Sequence, residues 1–510
     1  MNFPRGNRVD VMLLLEGTFP FVSGGVSSWV NQMIRSFPEY RFGGVFLGSR
    51  PEEYSGLKYE LPDNLVHFEA HFLYGDDEKP PVNATKGNRE GFETIRDLHA
   101  WLRYPDAGKD IGDKLWDLDF YLSSEKGVDF SQFLYSQRAW EFVTSMYQER
   151  CTDPSFVDYF WTVRSMHGPI WQLAAIARSL IPAGIFHTVS TGYAGFLGAL
   201  LSRVQQRPLI LSEHGIYTKE RRIDIFQSDW IRDNRNALQK DPTEISYYRD
   251  LWIRFYESLG RICYDSSHHI VSLFEGARQR EIADGASAEK TSVIPNGINI
   301  ERFSPVRLLQ GDQPPMVLSL IGRIVSIKDI KNFIRSIRIL ANRIPSIVGW
   351  IVGPNDEDPE YADECRALAE SLEIGDRVIF KGFMDVTDAL AGTGVLVLSS
   401  ISEGLPLAIL EAFAAGVPVV ATDVGACRLL VTGGFGEEDI AIGPAGAVVA
   451  INNPQALADS CLDLLQSPEK WRAARQAAIS RVERYYSQER MVAAYRELYV
   501  GGLAHGRDRV

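Results

Sequence analysis

Short apolar runs alternate with helix-length segments along both halves of the chain, and this alternation constrains the fold more than any other feature. The run VDVMLLLEG (9–17) predicts a buried strand, and the glycine-rich loop TFPFVSGG (18–25) joins it to the helix VSSWVNQMIRSF (26–37). Strand, loop and helix in this order open a doubly wound α/β domain. Further apolar runs repeat the theme at GIFHTVS (184–190), PLILSEHG (208–215), HHIVSLF (268–274) and TSVIPNG (291–297).

The alternation restarts after FSPVRLLQGDQPP (303–315), whose prolines and lost periodicity indicate a linker. Strands separated by helices of about ten residues or more predict a parallel sheet. We therefore expect an N-terminal Rossmann-like domain over 1–305 and a C-terminal one over 306–486. The last helix, 487–510, is expected to return to the first domain. Two such domains facing one another leave a cleft at the C-terminal ends of both sheets, where ligands bind.

The segment between about 85 and 180 differs from the rest of the first domain. Aromatic and acidic residues recur there at helical spacing, as in WDLDFYLSSE (116–125) and FLYSQRAWEFVTSMYQ (133–148). We interpret it as a helical insertion in the N-terminal domain. A helical core with a partner-binding surface is favoured over a platform for sugars.

Composition excludes several classes of protein. A chain of 510 residues is too long for one core and suggests about two to four domains. A net charge of −13 argues against a general nucleic-acid or anionic-membrane surface, although it allows a small basic pocket. The five cysteines form no CxxC pair, which favours reduced thiols over disulfides or zinc. The run VMLLL is too short for a signal peptide, so we expect a cytoplasmic protein.

The stretch SSISEGLPLAILEAFAAGVPVVATD (399–423) sets two glutamates around the start of a helix. Pro406 suits a first helical turn, and the amides from Gly404 to Leu407 would face outward at the positive end of the helix dipole. A diphosphate fits there, while Glu403 and Glu411 would hold the hydroxyls of a sugar and a ribose. The alternative makes Glu403 a helix-start charge and Glu411 a buried salt-bridge partner.

Two cations follow the first strand of the second domain, in IGRIVSIKD (321–329). Since no metal-binding motif is recognisable, a departing diphosphate needs fixed positive charges. The planar fork of Arg323 and the point charge of Lys328 suit this task. We therefore expect no metal and no cofactor, although the pair could also be ordinary surface charges.

Taken together, these motifs resemble the GT-B retaining glycosyltransferases of family 4, the glycogen-synthase and sucrose-synthase type. The matching motifs span nearly the whole chain: SGGV (23–26), IPNGIN (294–299), RFSP (302–305), the Arg323–Lys328 pair, VGP (352–354), EGLPLAILE (403–411) and AAGVPVVATDVG (414–425). A closer resemblance, to the PelF-type transferases of Pel exopolysaccharide synthesis, lies in LLLEGTFPFVSGGVSSWV, SEHGIYTKERRIDI and the helical insertion.

The resemblance implies a role for each matching residue. Arg323 and Lys328 would neutralise the leaving diphosphate, Glu403 would accept from the donor sugar, and His214 would lie near the reaction centre. The residues implied in donor binding are Gly24, Gly25, Gly404, Leu405, Pro406, Leu407, Glu411, Phe383, Met384 and Asn296. Of these, Glu411 would hold the ribose, and Phe383 and Met384 the nucleotide base.

Several of these assignments have structural alternatives. Gly24 and Gly25 either let the backbone approach phosphates or only permit a tight turn. His214 could be an ordinary loop histidine, and Asn296 a turn residue that organises the hinge. The segment TKERRID (218–224) is either a solvated charged face or an acceptor-side loop, and the sequence does not separate the two.

The resemblance implies transfer of a hexosyl group, with retention of configuration, from UDP-glucose or a UDP-N-acetylhexosamine to a growing exopolysaccharide. A nucleotide-sugar epimerase or hydrolase of the same fold, or a non-catalytic sensor subunit, stays as an alternative. A polymer-making enzyme without a membrane anchor also implies docking on an inner-membrane synthase complex. The aromatic insertion is the candidate surface for that docking.

Overall fold

The computed structural model describes residues 3–74, 85–103, 127–228, 230–235 and 244–507, which form two compact units. The first unit comprises the described residues within Met1–Ser272, Arg278–Val293 and Glu497–Val510. The second unit comprises Leu273–Ala277 and the described residues within Ile294–Arg496.

The chain enters the second unit at Ile294, whereas the boundary predicted from the sequence lies after residue 305. Phe303 and Val306, in the segment interpreted as a linker, are buried among apolar side chains of the second unit. Two short helices carry these side chains into that core. The first part of this segment is therefore packed in the second unit and is not a free linker.

The first unit is built on a sheet of seven parallel strands in the order β3-β2-β1-β4-β5-β6-β7. The strands are β1 (Val9–Glu16), β2 (Phe42–Gly48), β3 (Leu65–Phe72), β4 (Ala183–Thr188), β5 (Leu209–Glu213), β6 (His269–Ser272) and β7 (Thr291–Val293). β1 is a central strand, and its residues from Val11 to Leu14 have no exposed surface. This burial on both faces explains its continuous apolar run.

Helices cover the first sheet and fill the predicted insertion between β3 and β4. They are α1 (Gly25–Ser36), α2 (Arg89–Arg103), α3 (Phe130–Tyr135), α4 (Gln137–Arg150), α5 (Phe156–Ser179), α6 (Tyr193–Gln205), α7 (Tyr217–Gln227), α8 (Tyr247–Ser266) and α9 (Glu275–Ala283). Ser136 and Ser155 cap α4 and α5 by accepting bonds from backbone N–H groups. The stretch 116–125 lies outside the described residues.

The second unit holds six parallel strands in the order β10-β9-β8-β11-β12-β13. The strands are β8 (Val317–Ile321), β9 (Val348–Val352), β10 (Val378–Gly382), β11 (Val395–Leu398), β12 (Val419–Thr422) and β13 (Gly446–Val449). Its helices are α10 (Ile300–Phe303), α11 (Val306–Leu309), α12 (Ile330–Ala341), α13 (Pro359–Ser371), α14 (Val386–Ala391), α15 (Leu407–Ala415), α16 (Cys427–Thr432), α17 (Glu437–Ile440), α18 (Pro454–Gln466), α19 (Pro468–Tyr485) and the start of α20 (Gln488–Arg507). None of the described helices is both long and apolar enough to cross a lipid bilayer.

Helix α12 shows why these segments pack on the sheet. Its residues Ile330, Phe333, Ile334 and Ile337 follow helical spacing and have no exposed surface. They join an apolar cluster that includes Leu318 of β8. The amphipathic pattern read from the sequence therefore sets the face that packs against the strands.

The last helix, α20, is divided between the units, with its residues from Glu497 onward in the first. There Tyr499 is fully buried, and its hydroxyl lies 2.8 Å from Nδ1 of His187. Its ring centroid lies 5.2 Å from that of Phe37. The end of the chain thus supplies part of the core of the first unit.

Candidate active site

Glu403 belongs to a tight loop between β11 and α15. Pro406 is the N-cap of α15, one position earlier than the sequence predicted, and no side chain caps the helix. Gly425 packs directly under this loop with φ +54°, and a Cβ there would lie 2.3 Å from the carbonyl oxygen of Glu403. The first amides of α15 therefore lack side-chain partners at the positive end of the helix, which is an arrangement that binds anions.

Lys328 and Glu403 contact each other directly. The Nζ atom of Lys328 lies 2.6 Å from Oε1 of Glu403, and the Ser400 hydroxyl donates to the same oxygen at 2.6 Å. Lys328 ends a 3-10 turn (Ser326–Lys328) after β8, and the Ser399 hydroxyl donates to its carbonyl at 2.8 Å. The two predicted site residues are thus fixed side by side beyond two neighbouring strands.

Arg323 follows β8 and is paired with an acid that was not among the predicted site residues. Its Nη1 atom lies 2.6 and 2.7 Å from the two carboxylate oxygens of Glu357. The pair is solvent-exposed, with 42% and 51% of the side chains accessible. Arg323 is therefore accessible to a ligand at the end of its strand, although Glu357 competes with that ligand for the positive charge.

Glu411 lies on α15 in a partly buried position. Burial raises the pKa of its carboxyl to about 7, and the nearby Arg302 opposes this rise. Arg302 itself pairs with Asp385 at 3.0 Å. Since the described residues provide no ion pair for Glu411, the alternative of a salt-bridge partner finds no support.

The remaining predicted residues of the second unit lie around these loops. Asn296 is buried, and its Nδ2 donates to the carbonyl of Leu405 at 3.4 Å, while its Oδ1 has no hydrogen-bond partner among the described residues. Asn296 thus fastens the loop that carries Glu403. Phe383 follows β10 with 88% of its surface exposed, and Met384 is partly buried beside it.

In the first unit, Gly24 is the N-cap of α1, and its φ of 164° is an extended conformation that any residue adopts. A Cβ at this position would meet no atom within 4 Å. A tight turn therefore does not require glycine here. The space beside its Cα leaves room for a ligand, which would share the Gly24 N–H with the Tyr59 hydroxyl that now accepts from it at 3.4 Å.

His214 follows β5 in the same unit, and its ring packs against Trp29 of α1 with 4.4 Å between centroids. Burial lowers the pKa of this imidazole to about 3, so the ring is neutral. Its Nε2 has no hydrogen-bond partner among the described residues. Through Trp29, His214 therefore packs against α1, the helix that begins at Gly24 and Gly25.

A polar cluster at the end of β1 was not predicted from the sequence. Oε1 of Glu16 accepts a hydrogen bond from the Tyr217 hydroxyl at 2.7 Å, and Oε2 accepts from the backbone N–H of Ala194 at 3.1 Å. An acid closing a buried apolar run was the available signal. In the described part of the chain, no group of three or more His, Cys, Asp or Glu residues is arranged to hold a metal ion.

Two family models match the chain. One, described as a domain of unknown function (DUF3492), matches residues 9–289, which is more than half of the chain. The other, described as glycosyl transferases group 1, matches residues 303–481. The prediction of a glycosyltransferase-family domain is thereby confirmed.

The chain matches curated relatives over only part of their length. The chain is 30% identical over 158 residues to the UDP-Gal:alpha-D-GlcNAc-diphosphoundecaprenol alpha-1,3-galactosyltransferase of Escherichia coli, covering 29% of this chain and 40% of the relative. It is 27% identical over 220 residues to the lipopolysaccharide core biosynthesis mannosyltransferase LpsB of Rhizobium meliloti (strain 1021), covering 41% and 60%. The match thus spans less than two thirds of the length of either relative.

Solved structures share the fold over nearly the whole chain. The crystal structure of HepE of Anabaena in complex with UDP and glucose superposes with a TM-score of 0.57, at 15% identity, over 96% of this chain and 99% of that one. The predicted fold class, α/β with two Rossmann-like GT-B domains, is confirmed. The chain belongs to the DUF3492 family, and its second unit is a domain of the glycosyl transferases group 1 family.

Proposed function

We propose that the protein is a retaining glycosyltransferase that moves a hexosyl group from a UDP-sugar to a hydroxyl of a growing exopolysaccharide. The donor is UDP-glucose or a UDP-N-acetylhexosamine. The bond between the anomeric carbon and the diphosphate breaks, a bond from the acceptor oxygen to that carbon forms, and UDP and the hydroxyl proton are released. Retention of configuration rests on the resemblance to family 4.

The ion pair between Lys328 and Glu403 carries this proposal. The two residues follow β8 and β11, the neighbouring strands from which the connections of the second sheet leave in opposite directions. Such a switch point is where parallel α/β sheets bind ligands. A cation suited to a diphosphate, a carboxylate suited to sugar hydroxyls and the start of α15, which no side chain caps, come together there.

The cations at the site also support transfer without a metal ion. Lys328 and Arg323 both follow β8, and a positive charge held close to a leaving diphosphate stabilises the charge that develops on it. We propose that these two side chains supply this stabilisation. Activity that persists in excess EDTA is the expected result.

The nature of the product is proposed from the relatives. The E. coli relative is named for UDP-galactose as a donor, and the R. meliloti relative for the lipopolysaccharide core. A Pel-type polymer is the product that the sequence resemblance favours. Such a product implies a cytoplasmic enzyme that docks on an inner-membrane synthase complex, and the exposed Trp140 and Trp161 of the insertion support a docking surface there.

The test is a donor panel with the full-length protein. UDP-glucose, UDP-N-acetylglucosamine and UDP-N-acetylgalactosamine are each supplied with and without chitohexaose or maltohexaose, and both UDP and extended oligosaccharide are measured. We expect UDP release that depends on the oligosaccharide and one added hexosyl unit. If the donor sugar is isomerised without an acceptor, the protein is an epimerase. If UDP and free sugar are released, it is a hydrolase. Binding of the donor without turnover would show a sensor subunit.

A further inference from the structure

The first unit has its own switch point, between β1 and β4. Glu16 ends β1, and the segment after β4 reaches it from the other side. Oε2 of Glu16 accepts from the Ser190 hydroxyl at 3.3 Å and from the N–H of Ala194, near the start of α6, at 3.1 Å. This is the position at which a parallel sheet binds a ligand. The second-unit residues proposed to bind the UDP-sugar do not occupy it, so its own ligand is still to be assigned.

The Glu16 carboxylate keeps capacity for one more donor. The Tyr217 hydroxyl donates to Oε1 at 2.7 Å, so three protein donors bind a group with about four acceptor positions. The side chain is partly exposed. One lone pair of Oε1 is therefore left for a donor that arrives from outside.

Tyr217 is held at both ends, which fixes this wall of the site. Its backbone N–H donates to Oε1 of the buried Glu213 at 2.9 Å, while its hydroxyl binds Glu16. A Cβ on Gly192 would lie 2.3 Å from the Tyr217 hydroxyl oxygen, so glycine is needed there for the close approach. The geometry around Glu16 is consequently preorganised.

Arg221 lies one turn after Tyr217 on α7, within the segment 218–224 whose role the sequence left open. Its guanidinium carbon lies 5.1 Å from the centroid of the Tyr217 ring. Its Nη1 lies 3.3 Å from Oδ2 of Asp224, while its Nε is buried. The guanidinium carries five N–H donors, and 42% of the side chain is exposed beside Glu16.

Tyr256 provides an aromatic face next to these polar groups. Its ring centroid is 5.9 Å from that of Tyr217. Trp252, which is 4% exposed, stacks behind it at 5.7 Å with an angle of 22° between the planes. Tyr256 is partly exposed, and Trp252 packs on its ring from the core side.

We propose that Glu16, Arg221 and Tyr256 bind the end of a neutral glycan, the acceptor of the transfer reaction proposed above. A sugar hydroxyl both donates and accepts, so it can donate to the free lone pair of Glu16 while accepting from Arg221. The apolar face of a pyranose ring packs on Tyr256, since small-molecule sites combine aromatic walls with a few placed polar groups. One face of α7 is thus a specificity determinant, while Ile225 on the same helix packs into the core.

The experiment measures binding of chitohexaose and maltohexaose to the full-length protein by saturation-transfer NMR, without any nucleotide. We expect the wild type to bind at least one of them, and Arg221→Ala and Tyr256→Ala to weaken binding by roughly tenfold or more. Tyr256→Phe should retain binding because it keeps the ring face. Arg222→Ala is the matched control, since Arg222 is exposed on the same helix.

The affinity for UDP, measured by calorimetry, separates this inference from the proposed function. UDP binding should be the same in all four variants as in the wild type. A wild type that binds neither hexasaccharide, or variants that bind them as the wild type does, overturn the acceptor site even if transfer is observed. Hexasaccharide binding by a protein that neither binds UDP nor transfers sugar leaves the glycan site standing and refutes the proposed reaction.

Discussion

The Lys328 amine and the Glu403 carboxylate lie 2.6 Å apart with only 20% and 11% of their side chains exposed. Each charge is largely removed from water, so each depends on the other for compensation. A diphosphate that takes over Lys328 leaves Glu403 free to accept from sugar hydroxyls. The ion pair therefore holds both groups ready for one ligand that carries an anion and a polyol.

Replacing Lys328 by alanine tests this arrangement. We expect Lys328→Ala to lower kcat by about 10²–10³, the usual loss when a key electrostatic stabiliser is removed. Lys331→Ala is the matched control, because Lys331 makes a comparable 2.6 Å ion pair with the exposed Glu364. Steady-state kinetics with the best donor measure both variants, and near-wild-type turnover of Lys328→Ala would refute the assigned role.

The pairing of Arg323 with Glu357 predicts competition with the donor. Exposed ion pairs are worth about 0–1 kcal/mol, so releasing Arg323 should lower the KM for the UDP-sugar by at most about fivefold. Glu357→Gln makes this change, whereas Arg323→Ala should raise the KM and also lower kcat, because its charge stabilises the leaving diphosphate. Glu360→Gln alters an exposed acid nearby as a control. Equal KM values for all these variants would show that Arg323 does not contact the donor.

The raised pKa of Glu411, about 7, predicts a pH-dependent donor affinity. The carboxyl is protonated below pH 7 and becomes a charged acceptor for ribose hydroxyls above it, so affinity should increase as the pH rises through 7. Calorimetry with UDP-glucose from pH 5.5 to 8.5 measures this, since its diester phosphates do not titrate in that range. Glu411→Gln should remove the dependence. If the variant keeps the wild-type profile, another group is responsible.

The same shift predicts the sign of a stability effect. The folded chain holds this proton more tightly than the unfolded chain, whose carboxyl has the ordinary pKa of 4.5. The contribution of this proton to the free energy of unfolding is therefore complete below pH 4.5 and is lost as the pH rises through about 7, the pKa in the folded chain.

Two glycines should respond differently to replacement by alanine. Gly425→Ala places a Cβ 2.3 Å from the Glu403 carbonyl at a φ of +54°, so both thermal stability and activity should fall. Gly24→Ala meets open space in an extended conformation, so the melting temperature should stay unchanged while the KM for the donor rises. Thermal unfolding and kinetics distinguish them, and an unaffected KM in Gly24→Ala would show that no ligand approaches that backbone.

The exposed tryptophans of the insertion predict membrane association through a partner. Trp140 and Trp161 have 55% and 56% of their surfaces exposed. We expect the double variant Trp140→Ser/Trp161→Ser to leave the membrane fraction of cells that carry the whole polysaccharide system, with kcat in solution unchanged. Trp230→Ser, with a 65% exposed side chain outside the insertion, is the control. Unchanged sedimentation of the double variant would contradict the docking surface.

Local patterns predicted the strands and helices well, because burial imposes periodicity on short stretches of sequence. They also placed Lys328 and Glu403 after strands, but the adjacency of β8 and β11 depends on the sheet order, which no local pattern encodes. Glu16 was missed for a related reason. Its partners Ala194 and Tyr217 are 178 and 201 residues away along the chain. The domain boundary was misplaced because the local sequence around Phe303 does not show whether its side chain is buried or exposed.

The position of Tyr499 beside His187 bears on biosynthesis. The segment from Glu497 onward fills the first unit between Phe37, Phe42 and His187. While the ribosome is still translating the second unit, the nascent first unit lacks the Tyr499 ring that packs on Phe37 and Phe42 and the hydroxyl that bonds to His187. Although domains generally fold in the order of synthesis, the half translated first is here completed last. A fragment that stops before Glu497 should consequently need a chaperone to remain dispersed.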